Sequence, residues 1–387
     1  MPDGSQISRG AWDEDEVAAL CRAGMPEPAP EAGRRSMARA GRGAVSNPAS
    51  RYDSESTAAF EDGWNLPSVE LPPLETVLVR DATRSAISWN NSPDLGFDRA
   101  VNPYRGCEHG CIYCYARPSH AYLGYSPGLD FETRIVFKPE VAALLEQELS
   151  KPGYMPKSLV LGSNTDPYQP VDRTLRLTRS VLEVLERFGH PVSIVTKSAG
   201  VLRDLDILAR MAARGLVRVW LSITTLDGAL ARRMEPRAAS PARRLQAIEA
   251  LNAAGVPVGV LAAPMIPGLN DAELESILQA AHRAGARHAG YVLLRLPLEL
   301  REMFTAWLQE HVPDRARRVL ALIRETRAGE LNDSRFHQRF TGAGAYAGLL
   351  AQRFARIVRQ LGFSGRETLD LSQFRPPPAL GAQLSLL

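Results

Sequence analysis

The chain has 387 residues, and 45% of them are hydrophobic, which suffices for the core of one large domain or two smaller ones. No apolar stretch approaches the roughly twenty residues of a membrane-spanning helix, and the first residues carry no charged-then-apolar leader. The composition therefore argues against a helical membrane protein, and we expect a cytoplasmic location.

The net charge of +3 is unevenly distributed along the chain. Residues 1–70 carry −5, whereas the remainder carries +8. Between Val312 and Arg366 there are 11 arginines against four acidic residues. Such a basic region is typical of proteins with a nucleic-acid partner, although GC-rich coding would also favour arginine over lysine.

Residues 1–70 are rich in Ala, Gly, Pro, Ser and acid without steady periodicity, which predicts a disordered or loosely attached extension. Short apolar runs then alternate with amphipathic stretches. The predicted strands are Arg99–Pro103, Ser158–Gly162, Val192–Thr196, Val217–Ile223, Val256–Ala262 and His288–Leu294. The predicted helices are Pro139–Leu149, Leu175–Phe188, Leu202–Ala213, Pro241–Ala254, Asp271–Ala284 and Glu299–Glu310. Buried strands separated by helices indicate a parallel sheet, so residues 71–311 predict a (β/α)6 partial barrel of the α/β class.

A basic helical extension is predicted over residues 312–366, with helices at Arg315–Ala328 and Ala347–Leu361. Arg335 and Arg339 lie between the helices, next to Phe336 and Phe340, and arginines beside aromatic rings can grip phosphates and stack on bases. The second helix adds Arg353, Arg356 and Arg359 as predicted nucleic-acid contacts, with a solvated helix face as the alternative. Residues 367–387 predict an extended tail.

Three of the four cysteines, Cys107, Cys111 and Cys114, form a C-x3-C-x2-C triplet in the run NPYRGCEHGCIYCYARP. Thiolates at this spacing can hold three corners of a [4Fe–4S] cubane and leave the fourth iron open to a small molecule. Zinc is the alternative, in a Cys3His site completed by His109 or His120. A disulfide is disfavoured because thiols stay reduced in the cytoplasm.

The triplet, with aromatic Tyr113 directly before its last cysteine, resembles the signature of the radical S-adenosylmethionine (SAM) enzymes. The resemblance implies a (β/α)6 partial barrel, a [4Fe–4S] cluster on the three cysteines and SAM chelated to the open iron. It also implies reductive cleavage of SAM to a 5′-deoxyadenosyl radical, with a flavodoxin or ferredoxin as electron donor. Tyr113 would pack beside the adenine.

Chemistry in such barrels gathers at the carboxyl ends of the strands, and the resemblance places SAM there. Ser163, Asn164 and Asp166 follow the second strand and stand where many of these enzymes have a Gly-Gly-Glu run for the methionine amino group; an Asp-Pro turn is the alternative at Asp166. Lys197 follows the third strand and could pair with the methionine carboxylate. The other predicted SAM contacts are Ser222, Thr224, Arg237 and Met265. A surface pair with Glu235 is the alternative for Arg237.

Longer stretches resemble spore photoproduct lyase and the DNA-repair photolyase-like proteins related to it. They are NPYRGCEHGCIYCYARPSH, SNTDPYQP, TKS, EPRAASPARRL and APMIPGLND, within residues 85–310. Spore photoproduct lyase uses a further cysteine as hydrogen-atom donor to the repaired thymine, whereas no cysteine follows Cys114 here. Tyr115, Tyr122 and Tyr168 are the candidates for that catalytic role.

The chain ends in QLSLL after three prolines at 376–378, which predicts an exposed extended peptide. This end resembles the Gln-Leu-x-Leu-Phe/Leu peptides that bacterial DNA-repair and replication proteins insert into the β sliding clamp. The predicted clamp contacts are Gln383, Leu384, Leu386 and Leu387. The alternative is a tail that folds back and buries its leucines.

These observations favour a radical SAM enzyme that acts on DNA, in repair of a base or a base dimer. A second hypothesis is radical SAM modification of RNA or of a peptide. A third is a non-enzymatic iron–sulfur protein associated with DNA through the clamp.

Overall fold

Six parallel strands form the centre of the protein, in a computed structural model that describes residues 39–52, 74–365 and 368–376. The chain divides into two units, residues 1–36 and 37–387, and every described residue belongs to the second. The strands in the described part are β1 (Val77–Arg80), β2 (Ile87–Trp89), β3 (Arg99–Val101), β4 (Tyr104–Arg105), β5 (Arg134–Phe137), β6 (Leu159–Leu161), β7 (Val192–Thr196), β8 (Val217–Ser222), β9 (Val258–Met265) and β10 (His288–Leu293).

The main sheet has the order β10-β9-β8-β7-β6-β3-β2. All its pairs are parallel except β2, which runs antiparallel to β3 at the edge. The strands β6 and β8 are short apolar runs buried almost throughout, as a sheet covered by helices requires. A small second sheet, ordered β1-β5-β4, lies outside this series.

Helices connect successive parallel strands. The α-helices of the described part are α1 (Leu129–Thr133), α2 (Val141–Leu149), α3 (Asp172–Leu175), α4 (Leu177–Arg187), α5 (Leu205–Ala213), α6 (Gly228–Met234), α7 (Pro241–Ala253), α8 (Leu274–Arg283), α9 (Leu300–His311), α10 (Pro313–Glu325) and α11 (Gly344–Leu361). The helix α7 begins where the sequence requires, because Ser240 accepts a hydrogen bond from the Arg243 amide and Pro241 occupies the first turn. Three 3-10 helices span Arg117–Leu123, Ala199–Asp204 and Asp271–Glu273.

The predicted α/β class and (β/α)6 partial barrel are confirmed, since the parallel strands follow each other in chain order. The largest difference at a strand end is in β9, which continues to Met265 because Leu293 of β10 pairs with that residue. A second finding concerns residues 39–52, which the sequence placed in a loosely attached extension. That prediction is wrong for this stretch: Ala44 is fully buried, and the amides of Gly43 and Ala44 donate to Glu132 at 2.9 and 2.8 Å.

The buried apolar side chains of the described residues form three clusters, two large ones and a small one of Cys107, Ala116 and Phe131. The largest joins the sheet to its covering helices, and it includes β7 and α4. The other large cluster lies around α9, where Phe304 and Trp307 are fully buried together with Ile112 of the cysteine loop. The cysteine loop is therefore packed into a core of its own and does not depend on the sheet alone for its position. None of the described helices combines the length and the apolar composition needed to cross a membrane.

Candidate active site

The carboxyl ends of the barrel strands surround a cavity of about 1220 Å³. Cys107, Cys111 and Cys114 all line it, and all three are free thiols. Residues that follow β6 and β7, and Ser222 at the end of β8, line the same cavity, so the structure brings the cysteine triplet together with most of the polar strand ends that the sequence singled out.

Backbone hydrogen bonds shape the cysteine loop, together with Gly106 and Gly110, whose backbones are in the left-handed region. The Cys107 amide donates to the Phe131 carbonyl at 2.8 Å, and the Ile112 amide donates to the Met234 carbonyl at 3.0 Å. Gly110 has φ of +67°, and a Cβ there would lie 2.7 Å from a Glu132 oxygen, so this position requires glycine.

A fully buried ion pair supports the loop from behind. Arg117 is 0% exposed; it donates to the Cys111 carbonyl at 2.9 Å and to the Gly110 carbonyl at 3.1 Å, and it pairs with Glu132. Glu132 also accepts the two amides of Gly43 and Ala44. Because each buried charge has several partners, this network fixes the loop backbone that carries the cysteines.

The three thiols fit a cationic iron centre. Burial raises the pKa of Cys107 well above its ordinary value, and the charges of Asp166 and of the other two cysteines raise it further. Burial and the charge of Glu235 likewise raise the pKa of Cys111. Three neighbouring thiolates in this setting need positive charge beside them, which the irons of a [4Fe–4S] cluster provide. Cys107, Cys111 and Cys114 are thus the residues that would hold the cluster.

The zinc alternative required a histidine as fourth ligand. His109 instead places Nδ1 3.3 Å from the Asp166 carboxylate, and the ring of His120 packs between Tyr125 and Phe131. His109 is therefore held by Asp166, whereas both ring nitrogens of His120 are buried without a hydrogen-bond partner among the described residues.

A buried polar network holds Tyr113 under Lys197. The Tyr113 hydroxyl contacts Glu235 and lies 3.1 Å from the Thr224 hydroxyl, while Glu235 pairs with buried Arg244. The Lys197 ammonium lies 5.6 Å from the centroid of the Tyr113 ring, which is a cation–π contact. Tyr113 and Lys197 both line the cavity, as expected for side chains next to SAM.

Asp166 connects β6 to β7 at the cavity wall. Its carboxylate accepts hydrogen bonds from the Thr196 hydroxyl at 2.7 Å, from the Lys197 amide at 2.7 Å and from the Tyr168 amide at 2.9 Å. Burial alone would raise the pKa of Asp166, but the charge of His109 and these hydrogen bonds lower it to about 2. The alternative interpretation of Asp166 was a local turn. The structure contains that turn, closed by the Tyr168 amide, and Asp166 also lies on the cavity wall.

Ser163, Asn164 and Ser222 also lie on the cavity wall. Asn102, which the sequence analysis did not single out, organises the first two: its side chain donates to the Ser163 hydroxyl at 3.2 Å and accepts from the Asn164 amide at 3.1 Å. The Ser222 hydroxyl donates to the Ala263 carbonyl at 2.9 Å. These residues remain predicted SAM contacts.

Four predicted site residues, three SAM contacts and the catalytic candidate Tyr168, are placed elsewhere and need correction. Thr224 is fully buried and supports Tyr113, so it does not line the cavity. Met265 lies in the main core. In β9, Ala262 pairs with Tyr291 and Met265 pairs with Leu293, and the bulge between these two pairs reverses the side-chain alternation. Tyr168 is buried in the same core, since the turn closed by Asp166 directs it away from the cavity.

Arg237 is the fourth correction. It pairs with Glu108 at 3.1 Å and lines a separate pocket of about 220 Å³ with Thr76 and Pro170. The alternative of a Glu235–Arg237 surface pair is also wrong, because Glu235 is buried and pairs with Arg244.

One side of the cavity carries two aromatic and two arginine side chains: Tyr115, Arg295, Arg339 and Phe340, here called the aromatic–arginine wall. The Arg295 guanidinium carbon lies 5.7 Å from the Tyr115 ring centroid and 5.0 Å from that of Phe340. Arg339 lies 4.8 Å from the Phe340 ring and donates to Asp94 at 2.7 Å. The Tyr115 hydroxyl contacts the Ser163 carbonyl, and burial raises the pKa of Tyr115 to about 12.

The other predicted nucleic-acid arginines differ in their availability. Arg335 pairs with its near neighbour Asp333, and Arg353 is held by Glu275 at 2.8 Å and by the Asp271 carbonyl at 3.0 Å. The expectation that Arg353 shares a free face with Arg356 and Arg359 is therefore wrong, although the latter two are exposed. The tail residues Gln383, Leu384, Leu386 and Leu387 lie outside the described residues.

Sequence reasoning missed Arg295, Asp94 and Glu235 as parts of the site. A signal for Arg295 was present, because it follows the sixth barrel strand, as Lys197 follows the third. Glu235 and Arg244 stand nine residues apart within the stretch EPRAASPARRL, but nothing in their spacing indicates that they are buried together.

Comparisons with known proteins agree with this geometry. The radical SAM superfamily model matches residues 101–281. An uncharacterized protein of Mycobacterium tuberculosis is 38% identical over 236 residues, which are 60% of this chain and 69% of that protein. An uncharacterized protein of Methanocaldococcus jannaschii is 29% identical over 178 residues, 46% of this chain and 64% of the relative.

Among solved structures, spore photoproduct lyase complexed with dinucleoside spore photoproduct has the same fold, with a TM-score of 0.53 and 18% identity over 73% of this chain and 79% of that one. A mutant of that protein with bound SAM and dinucleoside spore photoproduct gives a TM-score of 0.52 at 18% identity, over 74% of this chain and 79% of the mutant.

The fold and the cysteine loop thus define a partial-barrel protein built to carry an iron–sulfur cluster beside SAM. The chain belongs to the radical SAM superfamily. It is a radical SAM enzyme, its cofactors are a [4Fe–4S] cluster and SAM, and its chemistry requires an electron donor.

Proposed function

We propose that this radical SAM enzyme acts on DNA, in the repair of a base or of a base dimer. The observation that carries the proposal is that the cysteine triplet and the aromatic–arginine wall face one cavity of about 1220 Å³. Aromatic rings offer stacking surfaces to bases, and arginines offer forked donors to phosphates. A target base in a duplex would have to be flipped out to reach such a cavity.

The likeness to spore photoproduct lyase and the 11 arginines of residues 312–366 support the same substrate class. With its cofactors bound, the enzyme has a 5′-deoxyadenosyl radical available to remove a hydrogen atom from the substrate. Cys107, Cys111 and Cys114 would hold the cluster, Lys197 would pair with the methionine carboxylate, and Asp166 with Ser163 and Asn164 would contact the amino group.

Tyr115 is the proposed hydrogen-atom donor to the repaired base. It lines the cavity directly after Cys114, and its hydroxyl is held by the Ser163 carbonyl. Tyr122 also borders the cavity but is more exposed, 70% against 50% for Tyr115, and Tyr168 lies in the core. A phenol has an ordinary pKa of about 10, so Tyr115 keeps its hydrogen at neutral pH.

The test follows deuterium from the substrate into 5′-deoxyadenosine. The anaerobically reconstituted enzyme is reduced with dithionite and incubated with SAM and ultraviolet-irradiated, uniformly deuterated DNA. Deuterium in 5′-deoxyadenosine, absent with Cys111→Ala, supports the proposal. Deuterium from labelled RNA or peptides, but not from DNA, would instead support the second hypothesis, modification of those substrates.

We also propose that the last five residues bind the β sliding clamp of the bacterial replication machinery. The support is the match of QLSLL to clamp-binding peptides and the prolines that precede it. Extended peptides bind such grooves through their backbone and through alternate side chains. Such binding would bring the enzyme to DNA independently of the cavity.

A further inference from the structure

Arg295 is a partly buried cation on the cavity wall that forms no ion pair within the described residues. It follows β10, the last strand of the barrel, and lines the cavity. Its Nε atom is buried without a hydrogen-bond partner, and its neighbours are the rings of Tyr115 and Phe340. The rings stabilise the charge through their faces but leave the buried Nε–H without an acceptor.

The other arginines near this wall have partners. Arg339 forms two contacts with Asp94, and Arg105 donates to Asp81 at 3.0 Å. Burial and the positive charge of Arg339 lower the pKa of Arg295 more than the charges of Tyr115 and Asp94 raise it, and Asp94 itself is paired with Arg339. A guanidinium stays charged even so, and a charge withdrawn from water without a counter-ion is unfavourable. An anionic group of a bound molecule would accept a hydrogen bond from the Nε–H and would neutralise the buried charge.

We propose that Arg295 binds a phosphodiester group of the substrate in the cavity. The inference rests on the proposed function, since it assumes a nucleic-acid substrate. The planar fork of arginine matches two phosphate oxygens, and the flanking rings of Tyr115 and Phe340 offer stacking surfaces to the adjoining base. A phosphate contact of this kind sets the register of the strand without reading its sequence.

The carboxylate of SAM is the other anion that the cavity receives. Lys197 is the cation on that side: it lies over Tyr113, and its charge acts on Cys111. Lys197 follows β7, in the middle of the sheet, whereas Arg295 follows β10 at its edge. We therefore assign the two cations to different anions: Lys197 to the carboxylate of SAM near the cysteines, and Arg295 to the substrate phosphate at the sheet edge.

The experiment measures binding of a fluorescein-labelled oligothymidylate of about five nucleotides to the reconstituted protein by anisotropy, over a range of salt concentrations. Arg295→Gln removes the charge, and Arg295→Lys keeps it without the fork. Arg210→Gln is the matched control, because Arg210 pairs with Glu186 on the helical surface and does not line the cavity. A series of oligonucleotides with one uncharged methylphosphonate each identifies the phosphate concerned.

For Arg295→Gln we expect about tenfold weaker binding and a salt slope smaller by roughly 0.7, as for the loss of one phosphate contact. A methylphosphonate at one position should weaken oligonucleotide binding by the native protein and leave the affinity of Arg295→Gln unchanged. The affinity of Arg295→Lys should lie between those of Arg295→Gln and the native protein, and Arg210→Gln should bind the oligonucleotide like the native protein.

Three outcomes would overturn the proposal. Weaker SAM binding with unchanged oligonucleotide affinity would assign Arg295 to the SAM carboxylate. Unchanged affinity for both ligands would leave Arg295 without an anionic partner. Absence of oligonucleotide binding by the native protein, with SAM cleavage intact, would refute the nucleic-acid substrate itself.

Discussion

Asp94 and Arg339 are 245 positions apart and join the two edges of the main sheet. Asp94 lies in the loop between β2 and β3, at one edge. Arg339 precedes Phe340, whose carbonyl accepts a hydrogen bond of 2.9 Å from Leu293 of β10, at the other edge. The His337 amide also donates to Asp94, at 3.2 Å. A partial barrel leaves a gap between its first and last strands, and this pair bridges it.

We predict that Asp94→Asn loosens both segments at this gap. The neutral amide accepts Arg339 less strongly, so the amides of residues 90–98 and 334–342 should exchange hydrogen for deuterium faster. Hydrogen exchange followed by mass spectrometry measures both peptides. Residues of β7 should keep the native rate, because the main core does not contain Asp94.

The matched control is Asp333→Asn. Asp333 pairs with Arg335 in the same segment, but this contact spans two residues and does not reach the other edge of the sheet. Its loss should leave residues 90–98 at the native exchange rate. Equal exchange in Asp94→Asn and the native protein would contradict a bridging role for the pair.

The contrast between local and distant partners explains how much the sequence could predict. The strands β7 and β8 are apolar runs bounded by turns, and the cysteine triplet is contiguous, so both follow from local pattern. Asp94 with Arg339, and Gly43 with Glu132, pair across distances that no period in one sequence encodes.

Met265 illustrates a different reason. Alternation along a strand would turn it toward the cavity together with Leu261 and Ala263, but the bulge in β9 changes the alternation before it. A bulge depends on the register of the neighbouring strand, which the sequence of β9 alone does not specify.

A further prediction concerns the buried pair of Glu235 and Arg244. Both side chains are 1% exposed, so Glu235→Gln leaves a guanidinium in the interior without its counter-charge. We expect a loss of about 3–5 kcal/mol in the free energy of unfolding, measured by urea denaturation. Tyr113 should also lose its anchor, which would lower the affinity for SAM.

An exposed pair provides the comparison for that variant. Arg80 and Glu140 are 70% and 60% exposed, and Glu140→Gln should change the free energy of unfolding by less than about 1 kcal/mol. A Glu235→Gln protein as stable as Glu140→Gln would show that Arg244 finds another partner or water.

The pH dependence of stability should contain a contribution from His190. Burial lowers the pKa of His190 to about 4, and its ring lies 2.9 Å from the Tyr154 hydroxyl. The unfolded chain protonates this histidine near pH 6.5, so stability is fully present above that pH and falls as the pH drops toward 4.

From these values, His190 removes about 2 kcal/mol of stability between pH 7.5 and pH 5. The comparison is urea denaturation of native protein and His190→Gln at both pH values. The variant should lack this part of the pH dependence, whatever its stability at pH 7.5. Parallel losses in the two proteins would contradict a neutral, buried His190.

Iron content tests the assignment of the cysteine ligands. Cys111→Ala leaves two thiolates for the cluster, so the broad visible absorbance and the formation of 5′-deoxyadenosine should both be lost. Cys21→Ala removes the cysteine outside the triplet and should keep both. A Cys111→Ala protein with its full iron content would refute the ligand assignment.

Deletion of Gln383–Leu387 tests the clamp-binding tail. Because the peptide would insert leucines into an apolar groove, the truncated protein should lose binding to the purified β clamp and retain its rate of SAM cleavage. Replacing Leu386 and Leu387 with alanine should have the same effect, whereas Ser385→Ala, at the variable position of the peptide, should have little. Biolayer interferometry with immobilised clamp gives the affinities. If the truncated protein binds the clamp as tightly as the full chain, then some other surface makes that contact, and the tail has a different role.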